Sequence, residues 1–348
     1  MDLLDNASQI AERDSQNTLG LVADSYKQLT TDVSVKNLPK NLPEIRQVVL
    51  AGMGGSALAA DMARDWLNLP LPFTVIKDYR LPQFVGPETL VIACSFSGNT
   101  EETLSALAEA RSRNASVVVA TGGGQLHELA TRDELPFSLM EYSGQPRMNV
   151  LLNLQVIVEI LIAYGLLGAA TRDELKSAAE SLASASQKWA PLVTFKDNPA
   201  KQLAWHCAGK TPVIYAGSRF RSVAYKWKIA FNETSKNMAF CNEYSEFNHN
   251  EFIGWSSHPV EKPFAVLDLR SSFDNPRVTQ RFELSDRLLS GMRPKAVPLQ
   301  LEGETMLEQF AWGNTLADYV SIYLAILNGV DPAPVALIEK LKQELAKS

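Results

Sequence analysis

The chain has 348 residues, 46% of them hydrophobic and 21% charged, with a formal net charge of -6. Such a composition excludes global disorder, and the length favours two domains over one. An acidic balance excludes a general binder of nucleic acid or anionic membrane, so an anionic ligand would need positive potential supplied locally by helix ends and a few basic side chains. Cys94, Cys207 and Cys241 are far apart and form no CxxC, which predicts reduced thiols in a cytoplasm. The opening residues are acidic and polar, unlike a signal peptide. The longest apolar stretch, 150–167, is interrupted by Asn153, Gln155 and Glu159 and is not expected to span a membrane.

In chain order, residues 1–45 read as a helical segment that loosens near Pro39 and Pro43. A strand at 47–51 runs into a glycine-rich turn and then a helix marked by Leu58, Met62 and Trp66. Strands follow at 73–77, 89–94 and 115–120, with a helix over 99–113 between the last two. Short, continuously apolar strands alternating with helices predict a parallel sheet buried on both faces. Helices are expected at 149–164 and 171–189. The second half then repeats the plan, with a strand at 211–216, a helix from about Ser222, strands at 264–269 and 296–300, and helices near 308–328 and 334–346. The domains implied are an N-terminal helical segment (1–45), a first α/β domain (46–167), a helical connection (168–205) and a second α/β domain (206–348). A strand–Gly–Ser–helix opening occurs in both halves, at 50–56 and 215–218.

Two turns each follow a strand and precede a helix: Gly52-Met53-Gly54-Gly55-Ser56 and Ser95-Phe96-Ser97-Gly98-Asn99-Thr100. A helix N-terminus presents unpaired N–H groups and partial positive charge, glycine lets the backbone approach closely, and hydroxyls add rotatable donors. Together they suit a phosphate, with Gly54, Gly55, Ser56, Ser95, Ser97 and Thr100 as the candidate cradle. Neither turn continues into a Gly-Lys-Ser/Thr motif. Residues 52–57 also fit a relaxed dinucleotide fingerprint, with Asp78 near the end of the next strand. The second turn has no place in that fingerprint and favours a compact phosphate. Each turn taken alone also reads as ordinary helix capping, for instance by Ser97 or Asn99.

The run Ser95–Thr103 resembles the phosphosugar loop of SIS (sugar isomerase) domains, and 52–62 resembles the first loop of one branch, the bifunctional phosphoglucose/phosphomannose isomerases of archaea and bacteria. The resemblance extends over most of the chain and implies two tandem SIS (flavodoxin-like) domains, each a parallel sheet flanked by helices. In that family the hydroxyls matching Ser56, Ser95, Ser97 and Thr100 hold the substrate phosphate. The activity it implies is an intramolecular oxidoreduction, glucose 6-phosphate or mannose 6-phosphate to fructose 6-phosphate through a cis-enediol(ate), without metal or cofactor. Such chemistry needs a base between C1 and C2, a group that stabilises the enediolate, and an acid or base that opens the ring.

The resemblance supplies all three. Arg147, in 144–149, matches the arginine that stabilises the enediolate; read alone it is an ordinary solvated or ion-paired arginine. Glu233, in 230–236, matches the C1/C2 base, although Thr234 and Ser235 replace the usual Asn-Ala; read alone it is a surface partner of Lys236. His249, in Glu246-Phe247-Asn248-His249-Asn250-Glu251, matches the histidine that opens the ring, which the neighbouring subunit of a homodimer donates. The segment 242–251 is too polar and irregular for a core element, and the flanking asparagines could orient the ring. The family also places a lysine of the last helix near the sugar, and Lys342 fits better than Lys340. Ala333 stands where the family carries a small hydroxylated residue. His127, His206, His249 and His258 show no metal-ligand spacing, so no metal is expected. The expected partner is a phosphorylated hexose, with no nucleic acid or membrane. Alternatives are a non-catalytic sugar-phosphate regulator, for which the chain lacks a basic DNA-reading segment, and another SIS aminosugar-phosphate isomerase.

Overall fold

The computed structural model describes residues 2–141, 144–257, 261–345 and 347. β1 (Gln47–Gly52), β2 (Phe73–Ile76), β3 (Thr89–Ser95), β4 (Ser116–Thr121) and β5 (Phe137–Leu139) form one sheet in the order β2-β1-β3-β4-β5, with every pairing parallel. β3 is buried along its whole length, which is why its sequence is continuously apolar rather than alternating. On one face Val49, Ala51, Val91, Ala93 and Val119 pack with Ala106, Leu107 and Ala110 of the helix Glu101–Ser112.

The second sheet is also wholly parallel. It contains β6 (Thr211–Gly217), β7 (Phe240–Tyr244), β8 (Phe264–Arg270) and β9 (Val297–Gln300) in the order β7-β6-β8-β9. Its order repeats the first four positions of the other sheet, so the two α/β domains and their SIS-like parallel sheets are present. β5 and β7 were not foreseen. β5 has three residues, and β7 carries Cys241, Asn242 and Glu243, so neither shows an apolar run. Both are edge strands; β5 is mostly buried but too short to show a run, and of β7 only Tyr244 is buried.

Residues 24–182 and 303–311 form one compact unit around the first sheet, and residues 1–23, 183–302 and 312–348 form another around the second. The segment read as 1–45 is therefore divided. Its first part is held by Asp5, whose carboxylate takes the fully buried Lys201 ammonium at 3.0 Å. Its second part is held by Gln28, which donates to Met148 O at 2.9 Å and accepts from Leu152 N–H at 3.0 Å.

The helix Arg221–Glu233 buries Val223, Trp227, Ala230 and Phe231, the stripe its spacing predicts. Trp227 Nε1–H donates to Gly313 O at 2.9 Å, and Lys226 pairs with Asp318 at 2.6 Å, both side chains buried. Removing one partner of such a pair costs about 3–5 kcal/mol, so the middle of the helix is held firmly. Among the described residues no helix is long and apolar enough to cross a membrane.

Candidate active site

In the first sheet the chain order reverses between β1 and β3, and ligands of open α/β sheets settle at the carboxyl ends of strands beside such a reversal. Both predicted turns lie there. The first opens the helix Gly54–Leu67 and the second opens the helix Glu101–Ser112. Neither cap residue, Met53 or Thr100, bonds the first helical turn through its side chain. Ser95 and Ser97 instead accept from N–H groups of their own turn, from Gly98 at 3.2 Å and from Asn99 at 3.4 Å. Ser95 Oγ lies 2.8 Å from Thr100 Oγ1 and 3.4 Å from Ser97 Oγ, gathering three hydroxyls in one turn. Asn99 turns away and accepts from Gln125 N–H at 3.0 Å.

The turn depends on Gly98, whose φ is 68° and whose added Cβ would meet Gly123 O at 1.8 Å. In the first turn a Cβ on Gly55 would lie 2.9 Å from Pro146 O. Contact there brings the short turn Pro146–Met148 against the glycine loop and sets Arg147 beside it. Arg147 is 4% exposed, and one guanidinium N–H donates to Gln145 Oε1 at 3.4 Å. Ser56 is buried, and its hydroxyl reaches Asn153 Oδ1 at 3.5 Å. The Cys94 thiol reaches the same oxygen at 3.6 Å. Burial pushes that thiol up to about 12, so it acts as a neutral donor. Asn153, which also donates to Asn149 O at 2.8 Å, is a neighbour of the first turn that the sequence reading missed. Its signal was a polar residue inside the otherwise apolar helix Val150–Ala163. The two other polar interruptions also have partners: Gln155 donates to Thr31 O, and Glu159 takes Arg172 at 2.8 and 2.6 Å.

Glu233 is the last residue of the helix Arg221–Glu233 and is half-buried. Thr234 and Ser235, the two departures from the resembling motif, are buried, and Ser235 Oγ–H donates to Phe231 O at 2.7 Å. The Ser235 hydroxyl thus fastens the backbone behind the carboxylate. Lys236 donates to Asp331 O at 2.6 Å and Pro332 O at 3.2 Å. Ala333, in the same loop, is buried.

His249 is exposed at the end of the turn Glu246–His249. The expectation that 242–251 carries no core element needs correcting. Residues 240–244 are strand β7, and Tyr244 and Phe247 are fully buried in an aromatic cluster with Tyr215 and Phe282. The flanking asparagines pin the backbone. Asn248 donates to Ser285 Oγ at 2.9 Å and accepts from Arg281 at 3.0 Å, and Asn250 accepts from Glu251 N–H at 2.6 Å.

Lys340 and Lys342 are both exposed on the helix Ala336–Leu345, which buries no described side chain. Within one unit the structure brings together Ser56, Ser95, Ser97, Thr100 and Arg147. Glu233, His249 and Lys342 belong to the other. Among the described residues no group of three or more His, Cys, Asp or Glu is placed to hold a metal; His258 lies outside them.

Residues 42–132 match the SIS domain family, and residues 196–345 match the bacterial phospho-glucose isomerase C-terminal SIS domain. The chain is 33% identical to the bifunctional phosphoglucose/phosphomannose isomerase of Aquifex aeolicus (strain VF5), over 90% of this chain and 94% of that protein. The chain belongs to the bifunctional phosphoglucose/phosphomannose isomerase family. Another member, from Caldicellulosiruptor bescii, is also 33% identical, with 90% and 94% coverage. The fold is similar to that of a glucose-6-phosphate isomerase like protein from Thermus thermophilus, with a TM-score of 0.65, 20% identity and coverage of 96% and 99%. Membership of the phosphoglucose/phosphomannose isomerases makes this chain an isomerase with two SIS domains and sets aside the reading as a non-catalytic regulator.

Proposed function

We propose that the chain interconverts both glucose 6-phosphate and mannose 6-phosphate with fructose 6-phosphate, as a cytoplasmic homodimer that needs no metal or cofactor. The observation that carries this reading is the cluster of Ser95, Ser97 and Thr100 hydroxyls at the N-terminus of a 12-residue helix, at the switch point of the first sheet. Those hydroxyls, with Ser56 and the N–H groups of the glycine turn at Gly54 and Gly55, hold the phosphate, which takes no part in the bond changes.

His249, donated by the neighbouring subunit, moves a proton between the ring oxygen and O1, and the ring opens to the aldehyde. Glu233 then takes the proton from C2. The electron pair of the broken C2–H bond forms the C1–C2 double bond, and the negative charge passes to O1. The Arg147 guanidinium, permanently charged, offsets that charge. Glu233 returns the proton to C1, O2 loses its proton to O1, and the ketone forms at C2. No electron is gained or lost overall. Lys342 lies near the sugar ring and binds its oxygens.

The test is fructose 6-phosphate formation from each aldose with EDTA present. Turnover of both is expected, and turnover of neither would overturn the reading. Mixed dimers of His249→Ala and Glu233→Gln chains should regain activity if the histidine crosses to the partner. No recovery, with subunit exchange verified, would sink that part.

A further inference from the structure

His249 stands on a short turn, and an exposed imidazole on a short turn is a poor proton shuttle unless something fixes the turn. The anchors lie on both sides of it. Before it, Phe247 is fully buried, with its ring centroid 4.6 Å from Tyr215 and 5.0 Å from Tyr244. After it comes Glu251, half-buried, whose two carboxylate oxygens have different partners. One accepts from the phenol of Tyr215, and the other accepts from Asn242 Nδ2–H at 2.8 Å. Tyr215 in turn accepts from Trp255 Nε1–H at 3.1 Å. Tyr215 lies on the central strand β6 and is fully buried. Burial, and then the neighbouring Glu251 charge, pushes its phenol well above the usual range, so it remains an O–H donor at any working pH. Asn242 lies on β7, directly paired with Tyr215 in the sheet.

We propose that Glu251 is the positioning residue for His249, tying the histidine turn to the second sheet through Tyr215, Asn242 and Trp255. This rests on the reading of His249 as the ring-opening group. Glu251 sits two residues along the chain from His249, so its carboxylate fixes where the turn ends while buried Phe247 fixes where it begins. Hydrogen bonds to a carboxylate are stronger than those between neutral groups, and Glu251 accepts two of them. Mutations that shift a reacting group by about 1 Å cost up to about 10²-fold in rate, the scale expected for loss of this anchor.

A double-mutant cycle on the full-length enzyme tests it. Glu251→Ala should lower kcat by about 10–100-fold and leave KM within about 3-fold, because the phosphate loops are untouched. Glu251→Gln keeps an acceptor for Tyr215 and should recover most of the loss. In a His249→Ala background, Glu251→Ala should lower kcat no further, since it acts only through the histidine. If His249→Ala is impaired and the two losses multiply, the proposal is overturned while the histidine reading stands. If His249→Ala keeps full kcat, the histidine reading falls and this proposal falls with it. Should Glu251→Ala not fold, Tyr215→Phe removes the same bond while keeping the ring, and the same cycle decides.

Discussion

The two sheets share the order 2-1-3-4 and reverse at the same point, yet their switch points are chemically opposite. After β1 and β3 of the first sheet, glycines and hydroxyls gather at two helix N-termini. After β6 and β8 of the second, the chain supplies its own anion. The Asp274 carboxylate lies against Gly217, where an added Cβ would come within 2.0 Å of it, and it accepts from Ser271 N–H at 3.0 Å. Ser218 donates to Tyr244 O at 3.0 Å. A carboxylate already bonded there repels a phosphate. The face of the second sheet also buries ionisable groups, Asp268 and Arg293, where the first sheet has aliphatic side chains. Repeating a fold supplies the crevice again but not its chemistry; the side chains at the strand ends decide it.

This comparison can be broken in four ways. The largest effect is expected at Glu233, the proposed base and the proposed catalytic contribution of the second unit. Glu233→Gln should lower kcat by about 10³-fold, and a variant with full activity would sink that assignment.

Next come the glycines of the two crevices. Gly98→Ala meets a backbone carbonyl at positive φ and should cost about 2–4 kcal/mol in denaturant unfolding. Gly217→Ala meets a side-chain carboxylate, which can swing away, so it should cost about 1 kcal/mol. Equal costs would mean that the crevices are equally rigid.

A smaller effect is expected in substrate binding. Ser95→Ala removes a proposed donor to the substrate phosphate, worth about 1.5–3 kcal/mol, and should raise KM by about 10–100-fold. Ser218→Ala in the second crevice should leave KM unchanged. A rise there would reveal a second phosphate contact.

Per pH unit, the pH dependence of stability is the smallest effect. Burial pushes Asp268 up to about 7, against the pull of Arg293 and Arg270. An unfolded aspartate titrates near about 4, so through the window between about 4 and 7 the folded chain keeps a proton the unfolded chain has lost. Stability therefore falls as pH rises through that window, by at most about 1.4 kcal/mol per unit. Asp268→Asn should flatten the slope in thermal melts; an unchanged slope would show that this aspartate does not titrate there.

What was legible in the sequence follows from what burial demands. β1, β3, β4, β6 and β8 are central strands, covered on both faces, so their apolar runs announced them. The helix Arg221–Glu233 announced itself by its buried stripe. The helix Pro276–Leu288 did not, because it buries only Phe282 and Ser285 among charged residues. Asp274 was equally silent, since a lone aspartate after a strand carries no pattern.

By itself, then, the sequence determined the alternation of strand and helix, the two glycine- and hydroxyl-rich turns at helix starts and the family motifs around Glu233 and His249. All of these are local runs whose chemistry or periodicity is carried by neighbours along the chain. Only the tertiary structure decided that Asn153 meets Ser56, that Gly55 makes room for the Arg147 turn, that Asp274 closes the second crevice, and that Glu251 reaches Tyr215 36 residues away. These contacts join residues distant in sequence or depend on the fold of a loop, so no periodicity records them.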